Sequence, residues 1–60
     1  MDNIKERTLT FMSEVGVPTS AFAKNVGLSA STLYKWKIGL VKISSSALNR
    51  IDEYLSKFGY

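Results

Sequence analysis

Between Ser29 and Lys37 the chain reads SASTLYKWK: three hydroxyl side chains and an alanine, then a phenol and two ammonium groups, with no carboxylate, thiol or imidazole. A hydroxyl donates and accepts hydrogen bonds, whereas an ammonium only donates. Such a set suits oxygen-rich surfaces and polar edges, and it lacks a strong general base, a thiolate nucleophile or a zinc ligand. Elsewhere the 60 residues contain no cysteine or histidine, and the five acids Asp2, Glu6, Glu14, Asp52 and Glu53 are scattered. We therefore expect no enzyme, metal site or cofactor, and a chain this short is not expected to form a deep small-molecule pocket.

Charge is unevenly spread. The net +3 hides a middle stretch, Val15 to Arg50, holding Lys24, Lys35, Lys37, Lys42 and Arg50 without one acid. Both flanking segments are nearly neutral. A basic block favours a polyanion, because phosphate neutralisation supplies most non-specific affinity for nucleic acid. The same five charges would also serve as an ordinary solvated surface. The opening MDNIKERTLTF is too polar and acidic for a signal peptide, and no apolar run approaches the ~20 residues needed to span a bilayer. A cytoplasmic protein with no membrane partner is expected.

A chain of this size buries only about 60% of the surface its unfolded form exposes, so we expect one domain, residues 1–60, with a thin stability margin. Its apolar spacing predicts an all-α fold of four or five helices. The first helix, about 3–15, turns Ile4, Thr8, Phe11, Met12 and Val15 inward, with Leu9 at the edge. Asp2 or Asn3 caps it, with Glu6 three residues after Asn3 in a capping-box arrangement, and Gly16 stops it. Pro18 lies in the first turn of the second helix, about 19–25, or just ahead of a Thr19 cap; Phe22, Ala23 and Val26 face inward.

Gly27 makes the next turn, Leu28 plugs it, and Ser29 caps a third helix over about 30–38, with Leu33, Trp36 and the Lys37 stem inward. Gly39 closes that helix. The apolar residues of LVKIS, namely Leu40, Val41 and Ile43, are read as a loop pinning the last helix. That helix, about 45–58, starts from a Ser44 or Ser45 cap and packs through Ala47, Leu48, Ile51, Leu55 and Phe58, with Tyr54 at the border.

Two short helices joined through a glycine turn describe a helix-turn-helix, whose second helix enters the DNA groove. The stretch FAKNVGLSASTLYKW resembles that unit in the phage repressor and Cro superfamily of transcriptional regulators. Ala23 stands four residues before the turn glycine, Val26 precedes Gly27, and Ser29 takes the cap position. Leu33 falls on the family's buried position, Trp36 on its frequent aromatic, and Gly39 on the glycine ending the recognition helix. SSSALNRIDEYL resembles the following helix, so the likeness runs from about Ile4 to Phe58. The glutamine that usually opens the first motif helix is replaced by Thr19 or Ser20.

The resemblance implies a lambda-repressor-like domain acting as a sequence-specific double-stranded DNA-binding regulator, in a bacterial cell or as a phage protein within its host. It sets Ala30, Ser31, Thr32 and Lys35 toward base edges, Lys35 reaching either guanine O6/N7 or a phosphate. Thr19, Ser20, Lys24, Tyr34, Lys37 and Lys42 are the expected phosphate contacts, Arg50 being a weaker candidate and Tyr34 having half-buried packing as its other reading. Tyr54, Leu55, Phe58 and Tyr60 are the candidate homodimer surface, or else they close the monomer core. The alternative function is a small helical protein-interaction module, such as an antirepressor or adaptor without DNA binding.

Overall fold

The computed structural model describes residues 3–60, which form four α-helices: α1 (Ile4–Val15), α2 (Thr19–Asn25), α3 (Ala30–Lys37) and α4 (Ser45–Lys57). Helix α1 packs on α4 and α2 on α3, within extents of 26 × 25 × 18 Å. The all-α expectation and the helix positions agree with this arrangement to within a residue at each end. Ile38 and Phe58 fall just outside their helices, each following the last helical residue. Among the described residues no helix is long and apolar enough to cross a membrane.

The core grows from Phe11. Its ring lies 5.8 Å from Phe22, 5.3 Å from Phe58 and 5.2 Å from Tyr60, and meets Tyr54 edge-on at 5.7 Å. Tilted and edge-to-face rings at these distances favour one another beyond the area they bury. Met12, Ala23, Val26, Leu33, Trp36, Ile51 and Leu55 complete the buried cluster. Thr8 is buried too, and its hydroxyl is satisfied by donating to the Ile4 carbonyl at 2.8 Å. Ala23, small among large neighbours, lets α2 approach its partner closely.

Several expectations are corrected. Val15 lies on the inward face of α1 by spacing but is 51% exposed, because the helix outruns the core at that end. Asn3 makes no side-chain cap bond, so the capping box with Glu6 does not form; its backbone (φ −116°, ψ 57°) lies outside the extended geometry that such a cap needs. Asp2 lies outside the described residues. Pro18, not Thr19, is the residue preceding α2, and its carbonyl accepts from the Phe22 N–H at 3.1 Å. In the loop after α3, only Ile43 packs against the core, while Leu40 and Val41 are exposed.

Of the two readings of Tyr54, Leu55, Phe58 and Tyr60, closure of the monomer core is the one that their packing matches. Leu55 is fully buried, and Tyr54 and Tyr60 are packed against the core. Tyr60 is held further by three contacts: the Arg7 Nε donates to its carbonyl at 2.8 Å, its hydroxyl donates to Glu14 Oε1 at 2.8 Å, and its N–H donates to the Leu55 carbonyl at 3.0 Å. The hydrogen bond that the Tyr60 phenol donates to Glu14 raises it above its ordinary value, because losing the proton would break that bond, and the neighbouring carboxylate charge acts in the same direction. Arg7 also pairs with Asp52 at 2.8 Å, joining α1 to α4. These residues close the monomer, and only Phe58 remains half-exposed.

Candidate nucleic-acid interface

The surface around α3 is set by the turn that precedes it. Gly27 adopts φ +75°, a left-handed conformation that L side chains rarely take. This lets the Leu28 N–H reach the Ala23 carbonyl at 2.8 Å and the Gly27 N–H reach the Lys24 carbonyl at 3.3 Å, the paired bonds of a Schellman closure. The Val26 carbonyl is satisfied from a distance in sequence: Arg50 Nε, on α4, donates to it at 2.8 Å, while another guanidinium nitrogen donates to Ser46 Oγ at 3.0 Å. A methyl group on Gly27 would stand 3.4 Å from that Nε. Arg50 thus seals the turn, a role that composition and spacing did not suggest.

Ser29 then starts α3 in the expected way. Its backbone is extended (φ −78°, ψ 151°), and its Oγ accepts from the Thr32 N–H at 3.1 Å. The same hydroxyl donates to Thr32 Oγ1 at 2.8 Å. Leu33 and Trp36 anchor the helix on its inner side, Leu33 with no exposed surface at all. Behind them Lys5 of α1 sits with Nζ 5.6 Å from the Trp36 ring centre, within range of a cation–π attraction.

At about 100° per residue, Ala30, Ser31, Tyr34, Lys35 and Ile38 fall on one outer arc of about 140°. All five are exposed. Thr32 lies beyond that arc, half-buried beside the inner face with its hydroxyl engaged by Ser29. It does not project together with Ser31 and Lys35, which corrects the expectation that the three share one surface. Tyr34 is 55% exposed, so its half-buried packing alternative is set aside.

The expected phosphate contacts separate into two groups. Ser20 and Lys24 are exposed neighbours one turn apart on α2, and Lys42 is exposed in the loop before α4. Thr19 and Lys37 are half-buried and joined, Lys37 Nζ donating to Thr19 Oγ1 at 3.3 Å across the start of α2 and the end of α3. Lys24, Lys35 and Lys42 make no hydrogen bond or ion pair among the described residues, so their charges are uncompensated by the chain itself. The described ion pair, Arg7 with Asp52, lies on α1 and α4, outside the acid-free stretch.

One feature escaped sequence reasoning. Of seven exposed large apolar residues among those described, Tyr34, Ile38, Leu40 and Val41 lie on α3 and in the segment after it. The signal was present in IGLVKI, but an apolar run beside a glycine reads equally as a core plug. No family model, curated protein or solved structure matches the chain.

Proposed function

We propose that the protein is a sequence-specific double-stranded DNA-binding regulator of the lambda-repressor-like helix-turn-helix type, with α2 crossing the phosphate backbone and α3 lying in the major groove. The observation that carries this reading is the outer arc of α3. Ala30, Ser31, Tyr34 and Lys35 are exposed there together, held by the Ser29 cap and the Leu33 anchor, inside a stretch without acids. Small residues at the first turn of α3 let its backbone come close to base edges, and Ser31 has the donor and acceptor to use them. Lys24, Lys35 and Lys42 are free to meet phosphates. Ser20 adds a hydroxyl beside Lys24, and Lys37 is tied to Thr19 between the end of α3 and the start of α2.

The experiment is selection of bound duplexes from a random pool, followed by anisotropy titration of the selected and scrambled duplexes at rising salt. The affinity is expected to fall linearly on logarithmic axes, with a slope of about −0.9 per phosphate neutralised. Lys35→Ala should weaken the selected duplex more than the scrambled one; equal loss on both would contradict base reading at that residue. A second reading is favoured by the exposure of Tyr34, Ile38, Leu40 and Val41, which also suits a protein-interaction module such as an antirepressor or adaptor. Failure to bind any duplex at low salt would leave that reading standing and remove the first.

A further inference from the structure

We infer that the recognition surface of α3 reads thymine methyl groups, so that the preferred DNA is rich in thymine and the apolar ridge of Ala30, Tyr34 and Ile38 is its reader. This rests on the DNA-binding reading above. The three residues are spaced four apart, which stacks them along one side of the helix over about 12 Å, at 1.5 Å rise per residue. Tyr34 is 55% and Ile38 52% exposed, an unusual placement for side chains of their size on a helix whose inner side is already filled by Leu33 and Trp36. Leu40 and Val41, in the loop after the helix, are exposed as well.

The chemistry missing from this surface narrows what it can recognise. Guanine is distinguished by a bidentate guanidinium or by an ammonium, adenine by a bidentate carboxamide, and cytosine by a carboxylate. From Ala30 to Ile43 there is no arginine, asparagine, glutamine, aspartate or glutamate. Ser31 bonds to several bases without choosing strongly among them, and Lys35, at the margin of the arc, is the one guanine-reading group on it. The one base feature that an apolar side chain distinguishes in the major groove is the C5-methyl group of thymine. A polyanion rather than an acidic protein is the occupant that fits, because exposed, uncompensated cations accompany the ridge in a stretch without acids, Lys35 on the arc and Lys42 in the loop after α3.

The test uses four duplex polymers of defined composition: poly(dA-dT), poly(dA-dU), poly(dG-dC) and its 5-methylcytosine form, compared at low salt without magnesium and then titrated at rising salt. Uracil removes only the methyl group, and 5-methylcytosine restores one at the equivalent ring position. Affinity for poly(dA-dT) should exceed that for poly(dA-dU) by about fourfold for each methyl group covered. The methylated cytosine polymer should bind more tightly than the unmethylated one. Ile38→Ser, a substitution at an exposed position, should lower the thymine-to-uracil ratio about fourfold while the salt slope stays as it was. Equal binding to all four polymers overturns the methyl reading and leaves DNA binding intact, as does an Ile38→Ser loss that is the same on every polymer. Binding to none removes the DNA reading with it and reassigns the ridge to a protein partner.

Discussion

Arg50 shows how a single side chain joins the two halves of the molecule. Its guanidinium leaves α4 and occupies the Val26 carbonyl at the end of α2, next to the glycine that turns the chain into α3. Hydrogen bonds to charged groups contribute about 1.5–3 kcal/mol, and Val26 is almost fully buried, so its carbonyl has little recourse to water. Arg50→Ala is expected to destabilise the free protein by about 1–3 kcal/mol, measured by thermal unfolding followed by circular dichroism without DNA. Lys42→Ala, at an exposed residue with no partner among the described residues, is the comparison and should leave the melting temperature nearly unchanged. An Arg50→Ala protein that melts like the parent would return Arg50 to the pool of simple phosphate contacts. Spacing could not reveal this bond, since donor and acceptor lie 24 residues apart. Ser29, whose bond is to a group three residues away, was legible for the opposite reason.

At the level of elements, the punctuation decided what could be read. Glycines follow α1, α2 and α3 closely, and serines precede α3 and α4, each of those serines accepting from a backbone N–H three residues on. Boundaries were therefore recoverable from single residues. The capping box at α1 failed because a cap needs an extended backbone as well as the right side chain, and Asn3 lacks it whereas Ser29 and Ser44 have it. Ser29→Ala should cost about 1 kcal/mol, lowering the melting temperature by roughly 4–8 °C. The loss should be local first. Faster amide exchange at Thr32, whose N–H loses its acceptor, with little change in α4, would mark fraying of α3 alone. Ser29→Asp should recover most of the stability, since an aspartate accepts the same bond at a helix N-terminus. Uniform loosening of all four helices would instead mean that the cap supports the whole fold and not its own element.

For the molecule as a whole, the aromatic residues near the C-terminus posed a question that composition could not answer. Tyr54, Phe58 and Tyr60 have the chemistry of an interface core and of a monomer core alike. What separates the two is tertiary geometry: all three rings lie between 5.1 and 5.7 Å from one another or from Phe11. The hydrophobic periodicity of α1 placed Phe11 inside, but periodicity does not say which helix it meets. A 60-residue domain at typical per-residue values has only on the order of 3–9 kcal/mol of stability. Truncating a buried Phe costs about 3–5 kcal/mol, so Phe11→Ala should be largely unfolded at physiological temperature. A milder change, Phe11→Leu, should leave a destabilised but folded chain on which ligand linkage becomes measurable. A duplex present at a hundredfold excess over its dissociation constant stabilises the folded form by about 2.7 kcal/mol. In a domain of this size that corresponds to a rise of roughly 10–20 °C in melting temperature. The selected duplex should therefore move the Phe11→Leu transition upward by that amount, and high salt, which weakens phosphate contacts, should abolish the shift. A duplex that leaves the transition where it was, at a concentration where anisotropy reports saturation, would mean that binding does not require the folded helices. The groove-reading role of α3 would then have no support from thermodynamic linkage.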